Sequence, residues 1–527
     1  MLRGLTIVCA VFAIAVPLQL SLAAEKINVT VDASKTGAKI DRNIFGQFAE
    51  HLGHGIYDGI WVGPDSSIPN TRGIRNDVVA ALKQIKVPNV RWPGGCFGDY
   101  YHWRNGVGAK RPITINTDWG GVTEPNTFGT HEFMDFVDQI GSNAYVSLNV
   151  GSGTINEAAD WMEYMTTALP TSLSKERAAN GHPAPYSVAM LGLGNESWDC
   201  GGGMTPEYYA SQMKAYSRFV NNKNPDQQTK NKMLKIAVGP GGDGPRWNEW
   251  TEVVMKAYKE HTWAWDIQGL SMHNYTVIDW KTKYASTNFG EKEYADIINE
   301  TLKTEDLIKT HSAIMDKYDP DKKVALIVDE WGKWYAPYPG SNPGFLVQQN
   351  SIRDAVLAAL NFNIFARHAD RVRGANIAQM INVLQAMILT DKEKMVLTPT
   401  YYVFKMYVPF QDSTVVPVAF NAGAYTLDAV KFKLPRVDVL AAKDVNGKLW
   451  LAITNVDPNQ AAQVAVSLAG LNGKTVAGET LTAPKVDSIN TFDAPNTVVP
   501  KKVAAKISGG KVELNLEPKS VTVVSVE

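Results

Sequence analysis

Cysteine is scarce. The chain of 527 residues has three, too few for a disulfide framework to replace a hydrophobic core. Charge of one sign is also missing. Lys and Arg total 52 and Asp and Glu total 53, a formal net charge of -1. Nothing therefore marks the chain as a binder of nucleic acid or of anionic membranes. After the first two dozen residues no stretch is long and apolar enough to span a bilayer. Internal repeats and low-complexity linkers are absent as well.

What is present suits a large globular protein. Hydrophobic residues make up 45% of the chain, and its length suggests two or three domains. Fourteen Trp are available, either as core packing or as flat faces for sugar rings. At the N-terminus, Arg3 precedes an apolar run from Leu5 to Leu20, and Ser21-Leu22-Ala23-Ala24 offers small residues for cleavage. This pattern predicts a signal peptide over residues 1–24 rather than a membrane anchor, with Pro17 interrupting the run. The expected product is exported, secreted or periplasmic, and free of the membrane. Cys9 leaves with that segment. Cys96 and Cys200 remain, either bridged or as two free thiols.

Ile27–Val31 alternates apolar and polar residues like a half-buried strand. From residue 44 short apolar runs recur, with turns and helix-like stretches between them. The runs are Ile44–Ala49, Val87–Trp92, Ala144–Val150, Val188–Gly194, Lys235–Gly239, Ile267–Met272, Val324–Val328 and Ala375–Leu384. Amphipathic segments such as Thr130–Ile140, Pro206–Asn221 and Ser351–His368 lie among them. Eight such alternations predict an α/β chain folded as a (β/α)8 TIM barrel over residues 44–405. After about residue 405 helical periodicity fades, and alternating runs separated by Pro, Gly, Asn and Asp predict a β-sandwich over 406–527. The strand within residues 25–43 is expected to join that sandwich.

Reactive residues of such a barrel sit at the C-terminal ends of its strands. The first run ends in Glu50-His51, the second in Arg91 to Cys96 and the fourth in Asn195-Glu196. The sixth ends in His273-Asn274-Tyr275, the seventh in Asp329-Glu330, and the eighth carries Gln379 and Asn382. Glu196 and Glu330 stand on roughly opposite sides of one mouth. Two facing carboxylates are what glycosidic cleavage needs, one to protonate the leaving oxygen and one to attack the anomeric carbon. A strand-end Glu taken alone reads more simply as a salt bridge.

These residues resemble glycoside hydrolase family 51 α-L-arabinofuranosidases. The resemblance rests on FGQFAEHLGHGIYDGIWVG, VRWPGGCFGDYYHWRNGVG, GLGNESWDCGG, SMHNYT, VDEWGKWY and RGANIAQMINVLQ, in order between residues 45 and 385. It implies a barrel with a C-terminal jelly-roll β-sandwich and an exo-acting, retaining double displacement on arabinan or arabinoxylan oligosaccharides. Glu196 is then the acid/base and Glu330 the nucleophile. Glu50, Asn195, Tyr275 and Gln379 hold the sugar, and Trp119 and Trp334 wall the pocket. Arg91 supports Glu330, and His273 lies at the pocket edge. Some family members carry Asn where Cys96 stands, so Cys96 is a pocket residue whose hydrogen bonding differs. Cys200, four residues beyond Glu196, is expected on the same rim, close enough to bridge to Cys96. The family also implies a homo-oligomer.

Other signals carry less. Gly151-Ser152-Gly153 lacks the third glycine of a nucleotide fingerprint, because Asn156 stands there. His51 and His54 have no set of partners that completes a metal site, and no metal or cofactor is expected. Ser197 has no nucleophile elbow. Asn195-Glu196-Ser197 and Asn274-Tyr275-Thr276 are formal glycosylation sequons at the site, which points to a bacterial host that leaves them bare. Two rival readings stand beside the first. One is an endo-glucanase or β-xylosidase on the same barrel. The other is a non-catalytic carbohydrate-binding protein, which would not need both glutamates.

Overall fold

The computed structural model describes residues 26–527. The expected signal peptide lies outside the described residues. No described helix is long and apolar enough to cross a membrane.

Eight parallel strands close into a barrel, as the run count predicts. In chain order they are Gly46–Phe48, Asn89–Trp92, Asn143–Ser147, Met190–Leu193, Leu234–Ala237, Gly269–Thr276, Ala325–Lys333 and Val372–Ile377. They are called strands one to eight below. Each is covered by helices outside and by side chains within, which is why parallel strands read as unbroken apolar runs. Strand eight departs from expectation. It starts earlier, at Val372, and stops at Ile377. Beyond it Asn382 and Leu384 adopt φ of 59° and 50°, a left-handed backbone that cannot continue a strand.

The helices begin and end where local chemistry dictates. Thr130–Ile140 stops at Gly141, whose φ of 71° suits glycine. Pro206–Phe219 has proline in its first turn, and the Thr205 side chain accepts the Tyr208 N–H. In Ile352–Arg367, Ser351 and Asp354 form a capping box. This last helix differs from its amphipathic reading, since it is buried on nearly every side from Ile352 to Ala366. The cause is a second layer beyond the barrel. Asn363 Nδ2 donates to Asp438 Oδ2 at 2.7 Å, and Arg367 Nη1 donates to Asp438 Oδ1 at 2.9 Å.

That layer is a β-sandwich. A five-stranded sheet contains Lys26–Asp32 between Val418–Phe420 and Ala462–Ala469, and is completed by Lys511–Leu516 and Ala505–Ser508. Lys26–Asp32 pairs in parallel with Ala462–Ala469. The facing six-stranded sheet is centred on Val437–Lys443, Leu449–Asn455 and Ser520–Val526. Ile27, Val29 and Val31 meet Val439, Leu451 and Val524 in one apolar core, the inner faces of two packed sheets.

Candidate active site

Most strand-end residues singled out above converge on the C-terminal mouth of the barrel, whereas His51 and Asn382 bond to neighbouring loops and strands instead. Arg91, on strand two, is fully buried and organises the floor. Its Nη1 donates to Glu330 Oε1 at 2.8 Å and its Nη2 to Asn195 Oδ1 at 2.7 Å. Its Nε lies 3.5 Å from Asp329 Oδ2. Burial works against the guanidinium charge, but Asp329 and Glu330 outweigh it and hold the group more basic than usual. The second oxygen of Glu330 accepts the Tyr275 hydroxyl at 2.7 Å. Both oxygens of Glu330 are thus fixed by donors from strands two and six.

Glu196 follows strand four in a tight turn. Its φ is 36°, an unfavourable region for a side-chain-bearing residue. The turn is held because the Glu196 carbonyl accepts N–H groups from Asp199 at 2.7 Å and Gly201 at 3.1 Å. Glu196 Oε1 pairs with His273 Nδ1 at 2.7 Å. Burial raises the Glu196 pKa first, and the charge of Glu330 adds to it, while His273 and Arg91 pull it down.

His273 touches three carboxylates. Besides Glu196, its Nδ1 lies 3.5 Å from Glu330 Oε2, and its Nε2 lies 3.3 Å from Asp329 Oδ1. Burial opposes its charge, yet Glu330, Asp329 and Glu196 raise it to about 10. The carboxylates thus favour the charged form of His273, which stands between the two glutamates. One oxygen each from Glu196 and Glu330 and a His273 nitrogen lie within 4.8 Å of one another. That spacing would also admit a cation. A second such group, Cys96, Glu196 and Cys200, offers disulfide sulfurs rather than thiolates.

Glu50, just past strand one, accepts N–H groups at both oxygens. Phe97 N at 3.0 Å and Trp119 Nε1 at 2.9 Å bind Oε1, and Gln379 Nε2 at 2.9 Å binds Oε2. Burial, then the charge of Glu330, raises its pKa to about 7. Gly95 is needed beside it, because a Cβ there would meet Glu50 Oε1 at 2.6 Å. Trp334 packs edge-on against Tyr275, with ring centroids 5.1 Å apart. Cys96 and Cys200 form a disulfide on the rim. Cys200 Sγ lies 3.6 Å from Glu196 Oε2.

The sequence reading placed Asp329 at the end of the seventh run but gave it no role. It immediately precedes Glu330 and is fully buried, accepting the Tyr145 hydroxyl at 2.7 Å. Neighbouring residues of a regular strand point to opposite faces. Here the register of strand seven shifts between Val328 and Trp331, and both carboxylates reach the same cluster. His51 proves structural: Trp92 Nε1 donates to it, and Glu124 pairs with its other nitrogen. Trp198, Trp247 and Trp280, which also line the mouth, were not singled out because Trp198 and Trp280 stand outside regular elements and Trp247 opens the helix Pro245–Lys259, none with a strand-end signal.

Comparison with known proteins extends these observations. A family model described as the α-L-arabinofuranosidase 1 domain matches residues 81–266. The α-L-arabinofuranosidase C-terminal domain model matches residues 329–520. A Bacteroides ovatus protein named an intracellular exo-α-L-arabinofuranosidase is 43% identical over 96% of this chain and 97% of its own. The crystal structure of a GH51 arabinofuranosidase from Xanthomonas axonopodis pv. citri is 50% identical, with a TM-score of 0.91 over 95% of this chain and all of that one. An arabinose complex of the Thermotoga maritima α-L-arabinofuranosidase is 29% identical, with a TM-score of 0.82 over the same shares. The intracellular Bacteroides relative overturns the expectation of a secreted or periplasmic protein. That expectation rested on Arg3, the apolar run Leu5–Leu20 and the small residues Ser21 to Ala24, a pattern that records composition rather than destination.

Proposed function

This chain belongs to glycoside hydrolase family 51 and is an α-L-arabinofuranosidase, and from that premise we propose that it is a retaining exo-enzyme working through Glu196 and Glu330. The observation that carries this reading is the close approach of the two carboxylates, within 4.8 Å together with His273. Retaining glycosidases place the two groups about 5–5.5 Å apart, whereas inverting ones leave roughly 6.5–9.5 Å for a water.

In this reading Glu50, Asn195 and Gln379 hold the hydroxyls of a terminal arabinofuranosyl ring, with Cys96 at its edge and Trp119 and Trp334 as walls. Glu330 attacks the anomeric carbon while the glycosidic C–O bond breaks. Arg91 and Tyr275 aim its oxygens. Glu196 gives its proton to the departing oxygen, so the aglycone leaves as a neutral alcohol. Its buried setting favours the protonated acid beforehand. Once the glycosyl ester forms, the charge of Glu330 is gone and Glu196 is the easier to ionise. It then takes a proton from water, whose oxygen attacks the anomeric carbon and frees Glu330. Arabinan and arabinoxylan side chains are the substrates this reading favours. The endo-glucanase and xylosidase alternatives gain nothing from the comparisons, and a purely binding role leaves the paired carboxylates unexplained.

The test is hydrolysis of an aryl α-L-arabinofuranoside against an aryl β-xyloside and a soluble glucan, with the first-formed anomer followed by NMR. Retention and arabinofuranoside preference are expected, with Glu330→Ala inactive but folded. An inverted product, or undiminished turnover by Glu330→Ala, would overturn the assignment.

A further inference from the structure

Strands six and seven are the longest of the barrel, Gly269–Thr276 and Ala325–Lys333, with eight and nine residues. Between them they carry His273, Tyr275 and Glu330. The last two rungs of their parallel ladder pair Tyr275 with Gly332 and Thr276 with Lys333. Rungs at a strand end fray unless something beyond the ladder ties them. Tyr275 needs such a tie. Its hydroxyl aims Glu330, and its cross-strand neighbour Gly332 has no side chain to pack on it.

Lys333 supplies the tie. Its Nζ donates to the Thr276 carbonyl, one residue beyond Tyr275, and lies 4.7 Å from the centre of the Tyr335 ring. The Lys333 carbonyl accepts Gln348 Nε2 at 2.9 Å, and Gln348 Oε1 accepts the Tyr335 N–H at 2.9 Å. Gln348 thereby brackets Trp334, the ring that meets Tyr275 edge-on. Tyr335 is anchored in turn by its hydroxyl, which donates to Asp354 Oδ1 at 2.8 Å. Tyr275, Thr276, Glu330 and Trp334 line the catalytic cavity. Lys333 lies behind them, 1% exposed and outside that lining.

Packing alone does not explain an amine in this place. Burying it costs free energy that a methionine of similar length would not cost. Its hydrogen bond goes to a carbonyl rather than a carboxylate, which leaves that cost only partly offset. Arg353, also fully buried, stands 4.1 Å over the same Tyr335 ring. Burial, with Arg353, draws the Lys333 pKa down to about 7, against Asp354 and Glu300. The uncharged amine still donates, so the tie outlasts the charge.

We infer that Lys333 is a positioning residue for the nucleophile: through the Thr276 carbonyl it holds the end of strand six where the Tyr275 hydroxyl meets Glu330. It touches no substrate. The inference rests on the reading of Glu330 as nucleophile and deepens it. Without the tie the strand end loosens and the hydroxyl drifts, and misplacement by about 1 Å near a reacting group costs about 100-fold in rate.

The test is a double-mutant cycle on an aryl α-L-arabinofuranoside. Lys333→Met keeps a stem over Tyr335 and removes the donor. It is expected to lower kcat about tenfold, with KM changed less than about twofold. In a Tyr275→Phe background no hydroxyl is left to aim, so the same change should cost less than about threefold. Lys333→Gln, whose amide is too short to reach Thr276, should repeat both results. Circular dichroism and urea unfolding check that each variant is folded. A purely structural lysine would cost activity equally in both backgrounds. Equal losses in the two backgrounds, no loss in either, or failure of both variants to fold overturns the positioning role and leaves the arabinofuranosidase reading intact. Undiminished turnover by Glu330→Ala overturns the nucleophile, and the positioning role with it.

Discussion

His273 is the residue on which the electrostatics of the site turn. It lowers the pKa of Glu196, which burial and Glu330 raise. Replacing it by Gln removes that pull, so the acid keeps its proton to higher pH. The alkaline limb of the kcat/KM profile is then expected to move upward in His273→Gln. Turnover should fall about 10- to 100-fold, because a hydrogen bond to a charged group is worth about 1.5–3 kcal/mol. A pH profile checks this, and a limb that stays or moves down contradicts it. The sign for stability is separate. With its folded pKa raised to about 10, His273 stabilises the fold fully below its ordinary value of 6.5. That contribution is lost as pH rises through about 10. The urea-measured gap between parent and variant should therefore narrow in strong alkali. Tyr275→Phe is the companion test at Glu330. Losing the 2.7 Å donor should lower kcat/KM by about 10- to 100-fold, measured on an aryl arabinofuranoside.

At the scale of elements, the loops behind strands two and four matter most. Gly95→Ala places a Cβ against Glu50, whose carboxylate three N–H donors already fix. The carboxylate must shift, at a cost of about 1–3 kcal/mol, so KM for arabinofuranosides is expected to rise and the unfolding free energy to fall by a similar amount. The Cys96–Cys200 bridge ties these loops together across 104 residues of sequence. Changing both cysteines to Ser should reduce the unfolding free energy by about 2–4 kcal/mol, read from urea curves. Dithiothreitol on the parent enzyme should reproduce the loss, and no loss would mean that the thiols are free in solution. Much of this was legible in the sequence. Apolar runs located all eight barrel strands, because burial on both faces leaves no other composition. The polar residues that end those runs located Glu196, Glu330 and most of the pocket. The role of Asp329 was illegible because a register shift, not periodicity, turns it inward. Trp247 and Trp280 were illegible because the start of a helix and a loop beyond the strand ends carry no strand-end signal. The helix Ile352–Arg367 was misjudged as amphipathic because its outer face is covered by a layer that lies elsewhere in the sequence.

For the whole molecule, the joint between barrel and sandwich is polar as well as apolar. Asp438 accepts from both Asn363 and Arg367. Asp438→Ala leaves two donors without an acceptor and should lower stability by about 1–3 kcal/mol. Activity and far-UV signal should still be lost together in urea if barrel and sandwich unfold as one unit. The parallel pairing of Lys26–Asp32 with Ala462–Ala469 also sets a timetable for synthesis. The paired residues, such as Lys26 and Gln463, are 437 positions apart in the chain, so at roughly 5–20 residues per second the first waits about 20–90 s on the ribosome for the second. During that interval the barrel strands emerge beside their neighbours in sequence except at the closing seam, where Gly46–Phe48 awaits Val372–Ile377, while the early strand stays an open edge. The sheet it belongs to is the last part of the protein to close, and a cell making this enzyme must shield that edge until it does.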